Sequence, residues 1–234
     1  MKKKIGVLAR PEKHDERLYW CINGEIKQVI MGYGYLPYLI YPIHLNDELN
    51  EEDCNILKEQ LKECSGVILQ GGSEIYGYDR YVCSYLYEHD IPTLGICLGM
   101  QTMAGGKLDR MDDEKIKNHY DQKDVKYAHE NWIQPGTKLF EIVEEVKIPV
   151  NSRHHDYVLD TDLFVSSYSK DGIIEAIEDA HKKFYIGVQW HPESMIAYDK
   201  VSKKLFDAFF QVIGGQNETK TNSAHCEGED TFRK

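Results

Sequence analysis

Between Lys4 and Ile96 the chain alternates short apolar runs with longer stretches of helical character. This rhythm limits the available folds more than any other feature. Lys4–Ala9 is an apolar run stopped by Arg10-Pro11, which predicts a buried strand ending in a loop. A helix is expected over Leu18–Met31, closing near Gly32 and Gly34. Leu36–Pro42 reads as a second strand. Asn50–Glu63 reads as an amphipathic helix with Ile56, Leu57 and Leu61 on one face. Val67-Ile68-Leu69 is a third strand and runs into Gly71-Gly72. Arg80–His89 reads as a helix, and Thr93–Ile96 as a fourth strand leading directly into Cys97. Such alternation implies βαβ units, hence an α/β fold with a mostly parallel sheet and helices on both faces.

Beyond Gly105-Gly106 the texture changes. Val125–Ile133, Lys147–Asn151, Leu163–Tyr168, Ile173–Ile177 and Phe184–Trp190 are strand candidates with few helices between them. The sheet should therefore become mixed and return to the core through Ile186–Trp190. A last helix is expected over Lys200–Ile213. From Gly214 the composition is polar, so residues 1–213 are assigned to one domain and 214–234 to a disordered tail.

The length of 234 residues suits one ordinary α/β domain. No apolar run approaches the roughly 20 residues of a membrane span. The basic start, Met1-Lys2-Lys3-Lys4, precedes an apolar stretch too short for a signal peptide, and a lysine before a buried strand accounts for it. A net charge of −11 argues against nucleic acid or an anionic membrane surface as partner. The six cysteines form no C-x-x-C pair, and a chain of this length needs no disulfide staples. A reducing, cytoplasmic setting is expected.

The strongest chemical signal is Gly95-Ile96-Cys97-Leu98-Gly99 after an apolar strand. With serine in place of cysteine this pattern is the nucleophile elbow. The glycines admit a sharp strand-to-helix turn that lifts the nucleophile above the sheet edge, and the Leu98 N–H would face a developing oxyanion. A buried cysteine in a tight turn would share the pattern. The second signal is Trp190-His191-Pro192-Glu193. Pro192 must end the strand. His191 then lies where open α/β sheets gather their active sites, with Glu193 able to fix its tautomer. Gly71 and Gly72 would let backbone N–H groups approach a ligand closely. Asn151-Ser152-Arg153-His154-His155-Asp156 sets two histidines beside a serine and an aspartate. Metal binding needs at least three ligands, and no firm third is visible, so no metal site is assigned and the edge of a substrate pocket is preferred. His119 and His129 read as structural histidines.

Together Gln70-Gly71-Gly72, Gly95–Gln101 and Gly187–Glu193 resemble the class I glutamine amidotransferase-like proteins. Val150–His155 and Asp171–Glu178 are similar to its gamma-glutamyl hydrolase branch, which includes gamma-glutamyl-gamma-aminobutyrate hydrolase. The resemblance covers about Lys4 to Ile213. It implies a flavodoxin-like sheet and a Cys97–His191–Glu193 triad, with Gly72 and Leu98 N–H groups around the oxyanion. It also implies that Gln101, His154 and His155 help hold a glutamyl group. Leu98 stands where the branch usually carries arginine, Asp156 stands where it often carries glutamine, and Ser73–Arg80 is shorter than its pocket-flanking loop.

The expected activity is cleavage of a small-molecule gamma-glutamyl amide without metal or organic cofactor; a homodimer would be unsurprising. A glutaminase subunit passing ammonia to a separate synthetase would use the same triad. A binding or regulatory protein on the same fold would be marked by a broken triad, and this one is intact in sequence.

Overall fold

The computed structural model describes residues 2–120 and 125–215. The expected tail, apart from Gly214 and Gly215, lies outside the described residues. In chain order the elements are β1 (Lys4–Leu8), β2 (Arg10–His14), β3 (Arg17–Cys21), α1 (Gly24–Gly32), β4 (Leu36–Ile40), α2 (Glu51–Lys62), β5 (Gly66–Leu69), α3 (Gly77–Glu88), β6 (Thr93–Ile96) and α4 (Leu98–Met103). The second half comprises β7 (Leu108–Arg110), α5 (Asp113–His119), β8 (His129–Ile133), α6 (Lys138–Val143), β9 (Lys147–Val150), β10 (Asp156–Val158), β11 (Phe164–Ser169), β12 (Ile174–Glu178), β13 (Tyr185–Val188) and α7 (Lys200–Gly214).

The main sheet has nine strands in the order β4-β1-β5-β6-β13-β12-β11-β8-β9. The five from β4 to β13 are parallel, and the remaining pairings are antiparallel. The expected change from parallel to mixed pairing is therefore present, and the parallel strands β5, β6 and β13 are buried along their whole length. Helices cover both faces. Ile26, Val29 and Ile30 of α1 and Leu205, Phe206 and Phe209 of α7 pack on one side. Leu57 and Leu61 of α2, Tyr78, Val82 and Leu86 of α3, and Met100 pack on the other. Each such fully buried side chain contributes roughly 1.5–3 kcal/mol. Local signals agree with this layering: Asn50 and Asp53 form a reciprocal capping box at the start of α2, and Asp199 caps α7.

Because β1 lies between β4 and β5, the chain winds first to one side of β1 and then to the other. A ligand crevice belongs outside the C-terminal strand ends at such a reversal. The ends of β1, β5, β6 and β13 lead into Arg10, Gln70, Cys97 and the His191 turn respectively.

The helix expected over Leu18–Met31 is corrected. Its first part is β3, the return strand of a β2–β3 hairpin paired from Arg10↔Cys21 to His14↔Arg17, and α1 begins only at Gly24, capped by the Asn23 side chain. The run Leu18-Tyr19-Trp20 suits a pleated surface better than a helix, and Trp20 packs edge-on against Tyr78. The strand expected from Val125 begins at His129, and α3 begins three residues before Arg80. The short elements α5, α6, β7 and β10 were not expected. No helix among the described residues is long and apolar enough to cross a membrane.

Candidate active site

Cys97 sits between β6 and α4 with φ 53° and ψ −110°, a conformation costly for a residue with a side chain. The surrounding packing enforces it. A Cβ on Gly99 would lie 2.0 Å from the Leu69 carbonyl oxygen, and one on Gly95 would lie 2.3 Å from Met103 Sδ. Only glycines allow α4 to cross β5 and β6 this closely. The Cys97 N–H is fixed to the Val188 carbonyl at 2.8 Å, which ties the elbow to β13.

β13 ends just before His191, whose Nδ1 lies 2.8 Å from Glu193 Oε1. A carboxylate there holds the proton on Nδ1 and leaves Nε2 for the thiol. Pro192–Ser194 forms one tight 3₁₀ turn, which brings Glu193 back under the ring. Burial disfavours the charged imidazole, but the Glu193 charge and the Cys97 thiol outweigh it and push the His191 pKa up to about 10. The imidazole is thus poised as a cation beside the sulfur. A Cβ on Gly71 would lie 3.1 Å from His191 Cε1 and 3.9 Å from Cys97 Sγ, so ring and thiol converge on the glycine loop.

These groups open into a cavity of about 500 Å³. Gly71, Gly72, Cys97, His191 and Glu193 line it, as do Arg10, Glu12, Asn23, Glu74 and Arg153. The Leu98 amide is in the first turn of α4, where N–H groups have no intrahelical acceptor.

Three other residues are placed differently from expectation. Gln101 does not line the cavity; its Nε2 donates to the Asp156 carbonyl at 2.9 Å and to Gln189 Oε1 at 3.1 Å, tying α4 to the strands beside it. His154 is buried away from the cavity, with Nδ1 on the Asp156 carbonyl and Nε2 facing His119. His155 also lies outside the cavity lining, and its Nδ1 is 3.0 Å from Asp156 Oδ2. The loop after β9 turns these side chains towards α5 and β10 rather than towards Cys97.

Sequence reasoning singled out the segments of Asn151 and Gln70 without giving either residue a role of its own, and it missed Arg10. Asn151 accepts from the His191 N–H at 2.8 Å and donates to the His191 carbonyl at 3.0 Å. Arg10 is buried on the cavity wall, with Nη1 donating to Asp79 Oδ1 at 2.6 Å and Nη2 to the Gln70 carbonyl at 3.3 Å. Gln70 grips three backbone groups: its Nε2 donates to the Leu8 and Cys21 carbonyls, and its Oε1 accepts from the Asn23 N–H. A charged residue placed directly after a buried strand was the one available signal for Arg10.

The mostly parallel sheet with helices on both faces is that of the class I glutamine amidotransferase-like fold. The glutaminase domain of Trypanosoma brucei CTPS superposes with a TM-score of 0.63 at 15% identity, covering 91% of this chain and 94% of that one. A glutamine amidotransferase from Thermotoga maritima gives 0.59 at 14% identity, covering 92% and 100%. The chain belongs to the Peptidase C26 family, whose profile matches residues 5–193. Among curated relatives, a glutamine amidotransferase-like protein of Rickettsia prowazekii is 34% identical over 50% of this chain and 58% of its own length. The CTP synthase of Latilactobacillus sakei is 28% identical over 88% of this chain and 44% of its own length. The chain thus spans from about a third to three fifths of the length of the relatives it matches.

Proposed function

We propose that this protein hydrolyses gamma-glutamyl amide bonds through a glutamyl thioester on Cys97. The observation that carries the proposal is the 2.8 Å contact between His191 Nδ1 and Glu193 Oε1, made beside a cysteine in an enforced elbow. With the thiol proton already held on His191, the Cys97 thiolate of this ion pair attacks the gamma-carbonyl. Amides of the Gly72 loop and Leu98 receive the developing oxyanion. The imidazolium then protonates the departing amine as the C–N bond breaks. Water, deprotonated by His191, attacks the thioester, and glutamate leaves as the thiol is restored. The cavity wall suits the glutamyl group, because Arg10 and Arg153 complement an α-carboxylate while Glu12 and Glu74 complement an α-ammonium.

A second reading is favoured by one observation: the CTP synthase relatives align with this chain over only 35–46% of their own length. On that reading the protein is a glutaminase that passes ammonia to a separate synthetase. The test is amine and glutamate release by the purified chain, offered gamma-glutamyl-gamma-aminobutyrate, other gamma-glutamyl amides and glutamine, beside Cys97→Ala. Cysteine-dependent turnover of gamma-glutamyl amides is the expected result. Turnover of glutamine alone would transfer the case to the glutaminase, and no turnover of any of them would defeat both.

A further inference from the structure

Four side chains from four separate elements meet on the far antiparallel half of the sheet, outside the Cys97 cavity. They are His119 at the end of α5, His129 at the start of β8, His154 in the loop after β9, and Glu175 in β12. One donor atom from each lies within 4.8 Å of every other. Three of the side chains are almost wholly buried, with Glu175 at 0%, His119 at 1% and His154 at 2% exposure, and His129 is at 11%.

Four of the six separations lie close to those of a small tetrahedral cation. Ligands about 2.0–2.1 Å from a zinc ion at tetrahedral angles stand roughly 3.3–3.4 Å apart. Here His119 Nδ1 is 3.2 Å from His154 Nε2 and 3.4 Å from Glu175 Oε1. Glu175 Oε1 is also 3.5 Å from His154 Nε2 and 3.7 Å from His129 Nε2.

The outer contacts decide which atoms are free to ligate. His154 Nδ1 faces the Asp156 carbonyl at 3.0 Å, so it must carry the proton and Nε2 presents its lone pair inward. His119 Nε2 faces both oxygens of Asp171 at 3.2–3.3 Å, so a neutral ring carries its proton there and presents the Nδ1 lone pair inward. With both rings neutral, two imidazole lone pairs and a carboxylate oxygen point at one another. Among the described residues, neither ring nitrogen of His129 has a hydrogen-bond partner, and neither has Glu175 Oε1. Buried acceptors aimed at a common centre repel unless a positive charge fills it. The outer shell is also that of a metal site: histidines backed by a carboxylate and a carbonyl, and Glu175 Oε2 held by Asn131 Nδ2 at 3.2 Å.

We propose that His119, His129, His154 and Glu175 bind one zinc ion. Four protein ligands leave no open position, which makes the ion structural rather than catalytic. Its two positive charges are balanced by Glu175 and Asp171. It would clamp α5 and the loop carrying His154 onto the sheet, and that same loop begins with Asn151, which holds the His191 backbone.

The experiment uses the full chain, stripped with a chelator and titrated with zinc alone and with cobalt(II) alone. One equivalent of zinc per chain should bind and raise the melting temperature. Cobalt should give the visible absorption of a tetrahedral nitrogen–oxygen site without a thiolate charge-transfer band. Asp171→Asn, which keeps every ligand, should weaken zinc binding by roughly 10–100-fold. His119→Ala and His154→Ala should weaken it further, while Cys97→Ser should leave it unchanged. Failure of the folded wild-type chain to bind an equivalent of zinc would overturn the proposal. So would undiminished affinity in folded Asp171→Asn, or a cobalt spectrum with a thiolate band that Cys97→Ser removes.

Discussion

Asn151 holds His191 by both backbone groups, accepting from its N–H at 2.8 Å and donating to its carbonyl at 3.0 Å. The residue that must face the thiol is thus fixed by a side chain 40 positions away in sequence. Asn151→Ala would leave both groups of His191 without their partner. Misplacing a catalytic group by about 1 Å costs on the order of 100-fold in rate. We expect kcat to fall by about that factor while KM changes little, as steady-state kinetics on a gamma-glutamyl amide would show. A parallel rise in KM would mean that Asn151 acts on substrate instead.

The raised pKa of His191 gives a pH signature. In the folded chain the group is lifted from its ordinary 6.5 to about 10, burial being outweighed by Glu193 and the thiol. Its protonated form therefore adds stability that is complete below pH 6.5 and lost as pH rises through about 10. Glu193→Gln removes the largest of the interactions that raise it. The alkaline limb of the kcat/KM profile should move to lower pH in this variant, with kcat reduced by about 10²–10⁴-fold. An unmoved limb would remove Glu193 from the role given to it.

The backbone at Cys97 can be separated from its chemistry. Cys97→Ala and Cys97→Gly should both abolish turnover. At φ 53° and ψ −110°, however, glycine is free of the Cβ penalty. Cys97→Gly should be the more stable of the two by about 1–2 kcal/mol in denaturant unfolding. Equal stabilities would show that the elbow carries little strain.

Gly99 should tolerate nothing larger. A Cβ there would lie 2.0 Å from a main-chain oxygen of β5, which cannot swing aside as a side chain would. Gly99→Ala should cost about 3 kcal/mol or more, and the melting temperature reads this directly. Gly95→Ala meets the flexible Met103 side chain first and should cost less.

Arg10 and Asp79 form a buried pair, their side chains 8% and 1% exposed. Arg10→Met strands the Asp79 charge, and breaking such a pair costs about 3–5 kcal/mol. Arg10→Met with Asp79→Asn should recover much of that stability without recovering substrate affinity. Recovery of both would place Arg10 in a purely structural role.

The parallel core was legible because β5, β6 and β13 are short, predominantly apolar runs buried along their whole length. The Cys97 elbow and the His191–Glu193 contact were legible because each of their motifs is local. The β2–β3 hairpin was not, since its turn at Asp15-Glu16 places both residues at positive φ without the glycine or asparagine that usually marks one. Arg10–Asp79 and Asn151–His191 join residues 69 and 40 apart, and no local pattern records such pairings. The histidine cluster was hidden for the same reason. His154 stood beside His155 in sequence and drew attention to the wrong neighbour, while its actual companions come from three other elements.

The Gln70 side chain hydrogen-bonds main-chain groups at the two feet of the β2–β3 hairpin, Leu8 on one side and Cys21 and Asn23 on the other. Arg10 adds a side-chain anchor at the foot, whereas Glu12, further along the ribbon, takes no part in the grip and faces the cavity. The rim of the pocket is therefore modular: its outward letters can be rewritten during divergence while the anchoring below stays fixed. A change at Glu12 can therefore reshape what the cavity admits while Cys97, His191 and Glu193 keep their places.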